Sequence, residues 1–335
     1  MNRKNALVPY VSLLIATLIW SSSFVALKIA FQGYHPMVVI FGRMLVGSIS
    51  FLILAAIFRG ILSSKSLKNN KVTADDIKLI LIMVICEPCL YFIFEAKALE
   101  LTTASQVGMI TAIMPLLVSV VAFFVLKEEL TEKILAGLTI SVFGACWLSF
   151  SGEVEANAPN PPLGNLCEFI AMVCAAGYTI CLKKLTQRGY SPFFLTSLQA
   201  FGGAVFYFPM LFLPSTNMPQ SFPLLPTLSV IYLGAAVTLM AYALFNFGVS
   251  RIPAGQASAF INLIPIFSLI LGIVILNERL NTEQYAACVV IFAGIFLSQH
   301  KSAKSDEPTE EIVSSEEIIS VRESAAPTAK SIIDK

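Results

Sequence analysis

Residues 104–145 read ASQVGMITAIMPLLVSVVAFFVLKEELTEKILAGLTISVFGA, and residues 254–295 read AGQASAFINLIPIFSLILGIVILNERLNTEQYAACVVIFAGI. The second stretch repeats the first at a constant displacement of 150 residues (254 − 104) without a gap. A weaker match upstream pairs GYHP at residues 33–36 with GYSP at residues 189–192. The chain is therefore a tandem duplication. Duplicated apolar halves are typical of transporters that hold a substrate site at the repeat interface.

The composition places this duplication in a lipid bilayer. The chain has 335 residues, of which 56% are hydrophobic and 13% charged, and its mean hydropathy is +0.79. Soluble domains are typically about 45–50% apolar. We therefore expect an all-α integral membrane protein that is embedded in the lipid bilayer.

Charge and side-chain chemistry argue against several other classes of function. The formal net charge of +1 provides no basic surface for nucleic acid. His35 and His300 lie in different segments and offer no grouping of metal ligands. Cys86 and Cys89 have a CxxC spacing, but they lie in an apolar run without the strand context of a redox motif. We predict no metal and no cofactor.

Apolar runs near the length needed to cross a bilayer, about 20 residues, predict ten membrane-spanning helices. The predicted helices are Val8–Phe31, Met37–Phe58, Ile77–Leu99, Ala104–Leu126, Ile134–Phe150, Leu163–Lys183, Phe193–Leu213, Leu225–Ser250, Ala254–Leu276 and Gln284–Ser298. Each repeat contains five of them, and an odd number forces the two copies to insert with opposite topology. The sequence thus predicts two inverted five-helix repeats.

The repeats are predicted to occupy residues 7–151 and 163–299. Lys and Arg concentrate in the loops on the side of the N-terminus, which predicts cytoplasmic N- and C-termini in the plasma (inner) membrane. Residues 300–335 are rich in Ser, Glu, Ala and Lys and contain no aromatic residue. This composition predicts a disordered cytoplasmic tail.

Several sequence features together resemble one family of carriers. The first helix contains WSSSFVA at residues 20–26, Arg43 lies early in the second helix, and both repeats carry a Gln…Pro…Glu-x-Leu stretch. Residues 7–299 resemble the EamA-type branch of the drug/metabolite transporter (DMT) superfamily, although Ser21 stands where that family usually has Gly. The resemblance implies a ten-helix inverted-repeat carrier, usually an exporter of small metabolites. It also implies a central cavity lined chiefly by helices one, three, four, six, eight and nine.

The third helix carries a polar stripe. Glu87, Tyr91 and Glu95 are spaced at i, i+4 and i+8 and therefore project from one face of a helix. Charges inside a bilayer cost about 2.5–3.5 kcal/mol each, so each needs a partner, water or a function. We interpret Glu87, near mid-depth, as a substrate or proton-coupling residue, with a fixed ion pair as the alternative. Glu95 and Tyr91 are further candidates, although Lys97 or interfacial water can satisfy Glu95.

Two more charges lie near the outer ends of the second and sixth helices. Arg43 either binds a substrate carboxylate or pairs permanently with Glu95 or Glu168, and a buried guanidinium favours a permanent partner. Glu168 is either an interfacial carboxylate in water or part of the site. We predict that Arg43 and Glu168 are structural ion-pair residues.

The second repeat offers polar candidates of its own. Tyr242 and Asn246 stack at i and i+4 on the eighth helix, and Asn262 lies three residues before Pro265. Because proline frees a backbone carbonyl and kinks a helix, Pro115 and Pro265 are predicted to open the fourth and ninth helices toward a cavity. The alternative is that these kinks only aid packing.

The remaining candidates lie in the first helix and at the ends of the fourth and ninth. Trp20 and Ser22 place an aromatic ring and a hydroxyl in the middle of the first helix, where they contact a ligand or bond back to the backbone. Gln106 and Gln256, at the starts of the fourth and ninth helices, either cap helix ends or face the cavity, and we predict that they are caps. Glu128 and Glu278 are each predicted to favour the N-terminus of the helix that follows them.

These features favour a secondary carrier that exports a small polar metabolite, such as an amino acid or an amine, by alternating access. Protons are a candidate coupling ion. One alternative is a flippase for a lipid-linked polar group. A second is an intramembrane enzyme, but the sequence lacks a G-x-S-x-G elbow, so we predict a non-enzyme. Substrate identity and oligomeric state, monomer or homodimer, stay open.

Overall fold

The computed structural model describes residues 3–57, 72–127, 130–151, 158–249 and 260–299. Within these ranges the chain is built of helices and short turns. The first half contains α1 (Arg3–Phe31), α2 (Pro36–Ile57), α3 (Ala74–Val84), α4 (Tyr91–Leu101), α5 (Ala104–Thr111), α6 (Met114–Leu126) and α7 (Glu132–Phe150). The second half contains α8 (Pro161–Gln187), α9 (Pro192–Tyr207), α10 (Leu224–Tyr232), α11 (Tyr242–Val249), α12 (Ile264–Leu276) and α13 (Thr282–Gln299). The predicted tail lies outside the described residues.

Eight helical stretches of the described chain are long and apolar enough to cross a membrane. They are Leu7–Phe31, Pro36–Ile57, Ala74–Leu101, Ala104–Val125, Glu132–Phe150, Pro161–Gln187, Phe194–Phe212 and Leu224–Phe245. Two shorter apolar helices, Ile264–Leu276 and Thr282–Ser298, follow them. The chain is therefore an all-helical, multi-pass membrane protein.

Local sequence explains where several helices begin. Thr73 accepts a hydrogen bond from the backbone N–H of Asp76, and the Asp76 carboxylate accepts one from the N–H of Thr73, which forms a capping box at the start of α3. Asn281 and Gln284 form the same reciprocal pair at α13. Thr103 caps α5. These caps satisfy N–H groups that a helix cannot pair internally.

The predicted third helix, Ile77–Leu99, is not continuous. A π-helical turn at Ile85–Leu90 separates α3 from α4, and inside it the Glu87 backbone is extended (φ −146°, ψ 118°). Pro88 explains the break, because proline has no N–H to donate and its ring collides with the preceding turn. The predicted eighth helix is likewise interrupted by a π-helical segment, Leu233–Ala241.

Pro115 and Pro265 each lie second in a helix. Pro115 follows a two-residue turn that separates α5 from α6, and Pro265 follows a turn at Asn262–Leu263. Since a proline ring excludes the carbonyl four residues before it, the helix breaks on its N-terminal side. Both predicted kinks are therefore present as breaks in the helices.

The fifth helices of the two repeats, α7 and α13, pack closely against each other. A side chain added at Gly294 would lie 2.6 Å from the carbonyl oxygen of Gly137, and one added at Gly144 would lie 2.9 Å from the backbone nitrogen of Ile291. Ser141 also donates a hydrogen bond to the Ile291 carbonyl at 3.2 Å. Small residues allow this close approach of backbones, which is a usual way for helices to associate in lipid.

Candidate functional site

A cavity of about 240 Å³ lies between helices of both repeats. Its wall is mostly apolar, with contributions from Phe24, Met172, Leu182, Val237 and Phe245. Charged and polar side chains line one part of it: Arg43, Glu87, Tyr91, Glu95, Trp20 and Tyr242. An apolar pocket with a few convergent polar groups is the usual form of a small-molecule site.

Glu87 lies where the third span is broken. Its carboxylate accepts a hydrogen bond from the Tyr242 hydroxyl at 2.9 Å, which joins the two repeats. Trp20 packs against Tyr242 in an edge-to-face arrangement, with ring centroids 5.1 Å apart. In the described part of the chain no Lys, Arg or His lies within 4.0 Å of the Glu87 carboxylate. The carboxylate therefore lines the cavity with two aromatic side chains and has no paired cation in the ranges that the structure describes.

The broken helix is supported by α9. The side chain of Gln199 donates to the Glu87 carbonyl at 3.2 Å, and the Tyr207 hydroxyl donates to the carbonyls of Pro88 and Cys89 at 3.1 and 2.5 Å. Irregular backbone within a membrane is tolerated where protein groups satisfy it. Gln199 and Tyr207 therefore hold the Glu87 backbone in its extended conformation.

Arg43 lies opposite Glu95. Its Nη1 is 3.7 Å from a Glu95 carboxylate oxygen, and its Nε donates to the Thr238 hydroxyl at 3.0 Å. The guanidinium carbon lies 4.2 Å from the centroid of the Phe92 ring. Tyr91 donates its hydroxyl proton to the other Glu95 oxygen at 2.9 Å. Nη1 itself has no hydrogen-bond partner among the described residues.

Glu168 does not pair with Arg43. It is fully buried, and neither carboxylate oxygen has a hydrogen-bond partner among the described residues. Of the two partners predicted for Arg43, the structure places Glu95 on α4, and not Glu168, beside the guanidinium. The alternative of an interfacial carboxylate in water is also wrong in this conformation, since Glu168 is not exposed.

Two other predicted residues, Ser22 and Asn262, are not on the cavity wall as the structure describes it. Ser22 forms a 2.6 Å hydrogen bond with the Tyr232 hydroxyl and lines a separate apolar groove, while its neighbour Ser23 lines the cavity. Successive residues of a helix point about 100° apart, which explains why Ser23 faces the cavity and Ser22 does not. Asn262 has a buried Oδ1 without a described partner. The side chain of Asn246 lies outside the described residues.

The sequence analysis missed a buried polar network that joins α5, α7 and α8. Asn165 on α8 donates to the side-chain oxygen of Gln106 at 2.7 Å and to the Ser149 hydroxyl at 2.9 Å. Gln106 is therefore not a helix cap; Thr103 has that role. Gln256 lies outside the described residues. An Asn one turn into an apolar helix was the available signal, because a buried amide needs partners.

Glu278 also differs from its prediction. It does not cap the helix that follows it, where Asn281 and Gln284 satisfy the first turn. Its carboxylate instead accepts hydrogen bonds from the backbone N–H groups of Ala104 and Ser105, at 2.8 and 2.9 Å. These residues begin α5, in the other repeat. Glu128, the counterpart of Glu278, lies outside the described residues.

The geometry can be compared with known proteins. The family model described as "EamA-like transporter family" matches residues 7–150 and again residues 162–299. The two matches together cover most of the chain. The chain belongs to the EamA-like transporter family. The two matched stretches of this EamA-like chain fall on the two halves of the duplication.

Relatives of this EamA-like chain are named as transporters. The "Uncharacterized transporter YetK" of Bacillus subtilis (strain 168) is 26% identical over 306 residues, which cover 90% of each chain. The "Uncharacterized transporter YcxC" of the same organism is 28% identical and covers 85% of this chain and 91% of its own. A "Probable terminal-alkyne amino-acid exporter" of Streptantibioticus cattleyicolor is 22% identical over 80% of this chain and 85% of its own.

A solved crystal structure supports the fold. It matches this EamA-like chain with a TM-score of 0.58 at 18% identity and covers 87% of this chain and 96% of that one. At this identity the likeness concerns the fold alone. No group of three or more His, Cys, Asp or Glu in the described ranges is arranged to hold a metal ion.

Proposed function

We propose that this EamA-like transporter is a secondary carrier that exports a small ammonium-bearing metabolite, an amino acid or an amine. In this proposal ten helices form two inverted five-helix repeats in the plasma (inner) membrane, and both termini are cytoplasmic. Alternating access exposes the cavity first to one side and then to the other.

The observation that carries the proposal is the Glu87 carboxylate, which lines the cavity with Trp20 and Tyr242 and has no cation within 4.0 Å among the described residues. A carboxylate in an apolar cavity needs a positive charge, and an ammonium group supplies it. The faces of Trp and Tyr rings also attract cations. A cavity of about 240 Å³ suits a small metabolite and is confining for the head group of a lipid-linked sugar.

Arg43 supports an amino acid as one form of the substrate. Its side chain lines the cavity, and its Nη1 is buried without a described hydrogen-bond partner. In this proposal the guanidinium turns toward the cavity when substrate binds, and the substrate carboxylate provides the missing acceptor. An amine without a carboxylate needs only Glu87. The name of the Streptantibioticus relative, an amino-acid exporter, agrees with the first form.

Protons are the proposed coupling ion. When the substrate leaves, Glu87 is left in an apolar site without a cation, and binding a proton removes its charge. Proton and ammonium then compete for one carboxylate. An inward proton gradient therefore drives the substrate outward, since the low external pH favours release of the ammonium into the outer solution.

The test is transport in proteoliposomes containing the full chain, with a panel of labelled amino acids and amines and an imposed pH gradient. We expect saturable transport that depends on the gradient in the wild type. Glu87→Gln should reduce the gradient-driven rate by about 100-fold or more, since removing one partner of a buried charge pair costs about 2–5 kcal/mol and the neutral amide cannot exchange a proton.

Glu100→Gln is the matched control, because Glu100 is exposed at the end of α4 and pairs with Lys97. It should transport like the wild type. Equal rates in Glu87→Gln and wild type would remove Glu87 from the mechanism. Transport of no amino acid or amine would favour the flippase, and turnover of a compound without its movement would favour an enzyme.

A further inference from the structure

The Glu278 contact joins parts of the molecule that alternating access must separate. Its two backbone hydrogen bonds to Ala104 and Ser105 are supplemented by the Ser105 hydroxyl, which donates to the same carboxylate at 2.5 Å. One side chain of the second repeat thus satisfies the start of α5 in the first repeat. Hydrogen bonds to a charged acceptor are about twice as strong as neutral ones, and a helix N-terminus adds a favourable dipole.

The backbone at the end of α12 positions the Glu278 carboxylate beside the start of α5. Asn277 adopts a left-handed conformation (φ 55°) and ends α12, and the N–H of Glu278 donates back to the Gly272 carbonyl at 3.2 Å. A side chain at Gly272 would lie 2.3 Å from the Ser105 hydroxyl and 2.5 Å from the Glu278 carboxylate. Gly272 is therefore required for α12 to approach α5 this closely.

The Glu278 contact lies at one end of the bundle, away from the cavity. Asn160 donates its N–H to the Leu101 carbonyl, which places the start of α8 at the same end as the start of α5. The cavity wall includes Tyr178 and Leu182, which lie about 26 and 32 Å along α8 from Pro161 at 1.5 Å per residue. The cavity thus extends toward the opposite end of α8.

The groups between the cavity and Glu278 are buried. Gln106 and Asn165, with their mutual hydrogen bond, lie within the first turns of α5 and α8. Gly108 and Ser268 are in such close contact that a Cβ on Gly108 would overlap the Ser268 side chain. A path from the cavity to this end of the bundle therefore requires α5 and α12 to move apart.

We propose that Glu278 is a gating latch: its bonds to the start of α5 hold this end of the carrier closed and must break for the cavity to open there. The inference rests on the proposed carrier function and adds a residue that acts at a distance from the substrate. In the proposed orientation the latch closes the external side. Both partners are hydrated when apart, because water replaces each hydrogen bond, and this makes the contact reversible.

The test measures the opening itself and needs no substrate. Spin labels at Glu100→Cys and Arg279→Cys, both exposed in this structure, report the distance between the two repeats at this end. They are placed in the full chain, in lipid nanodiscs, after its seven cysteines are replaced by alanine. We expect Glu278→Gln to raise the ratio of long to short distances about tenfold, since a charged acceptor is lost.

A second variant and a control keep the test decisive if Glu278→Gln folds poorly. Ser105→Ala removes only the hydroxyl bond and should give a smaller shift in the same direction. Glu283→Gln removes an exposed carboxylate from the first turn of α13 and should leave the distances unchanged. Identical distances in Glu278→Gln, Ser105→Ala and the parent would overturn the latch, as would an equal shift in Glu283→Gln.

This experiment separates failure of the latch from failure of the proposed function. If the distances shift as expected but no amino acid or amine is transported, the latch stands and the substrate proposal fails. If transport depends on Glu87 but the distances do not respond to Glu278, the carrier stands and Glu278 is a fixed helix cap.

Discussion

The third spans of the two repeats have similar backbones and different chemistry. Both are interrupted by π-helical segments, at Ile85–Leu90 in the first repeat and at Leu233–Ala241 in the second. The first segment contains Glu87 beside Pro88, whereas the second contains no charged residue. Both repeats therefore contain the deformed helix, but only the first repeat carries a charge in it. The transport chemistry is therefore not expected to be symmetric.

The charged residues of the cavity wall show the same difference between the two repeats. Arg43, Glu87 and Glu95, the charged residues of the cavity wall, all belong to the first repeat. The second repeat contributes hydroxyl groups, from Tyr242 to Glu87 and from Thr238 to Arg43. One repeat thus supplies charge and the other supplies neutral hydrogen-bonding groups that orient it.

Removing a charge from the first repeat should have the largest effect on stability. Arg43→Leu leaves Glu95 buried beside an apolar side chain, and breaking a buried ion pair costs about 3–5 kcal/mol. The double variant Arg43→Leu, Glu95→Gln removes both charges and should recover more than half of this loss. Reversible unfolding in detergent measures the free energy of unfolding of each. A double variant no more stable than Arg43→Leu would mean that Glu95 is not the ionic partner of Arg43.

A smaller loss of stability is expected at the contact between α7 and α13, where the two repeats are alike. Gly144 and Gly294 are counterparts, and a Cβ at either meets backbone or hydroxyl atoms of the facing helix at 2.3 to 2.9 Å. Each Gly→Ala substitution should therefore reduce the free energy of unfolding by about 1–3 kcal/mol, the usual cost of overpacking. Gly177→Ala, where the nearest atom is the Cys86 sulfur at 3.2 Å, is the control and should cost less. A large effect at only one of the two positions would show that the pairing of α7 and α13 is itself asymmetric.

Sequence alone predicted the membrane setting, the helical fold and the breaks at Pro115 and Pro265, because these follow from composition, from run length and from the missing N–H of proline. It did not predict the break at Pro88, which lies in a stretch apolar enough to be read as one continuous helix. It also selected Glu87, Tyr91, Glu95, Tyr242 and Trp20, which the structure brings to one cavity. Partners were predicted only in part. The sequence named Glu95 and Glu168 as possible partners of Arg43 but did not choose between them, and it did not predict that Glu278 reaches the other repeat. Both depend on how distant helices pack, and no local pattern encodes that packing.

Ser22 and Ser23 show that the sequence also could not predict which of two neighbouring residues lines the cavity. Both are small hydroxyl residues in the middle of the first helix, and only Ser23 lines the cavity. Which of two neighbours faces a site depends on the rotation of the helix about its axis. Apolar positions surround this segment on all sides, so the periodicity of α1 does not specify that rotation.

The smallest predicted effect concerns a neutral group of the second repeat. Thr238 accepts a hydrogen bond from Arg43 Nε at 3.0 Å and donates its own proton to the Leu233 carbonyl at 2.9 Å within the π-helical segment. It therefore connects the deformed backbone of one repeat to the charge of the other. Thr238→Val keeps the shape and removes both bonds.

We expect Thr238→Val to lower the free energy of unfolding by about 1–2 kcal/mol, because one hydrogen bond to a charged donor is lost while Glu95 still faces the guanidinium. Thr179→Val is the matched control: Thr179 also lines the cavity, but its hydroxyl bonds back to the Ala175 carbonyl of its own helix. Measured in the same unfolding assay, the control should change by less than about 0.5 kcal/mol. Equal losses in the two variants would mean that the second repeat does not orient Arg43, and the division between a charged repeat and an orienting repeat would then rest on Tyr242 alone.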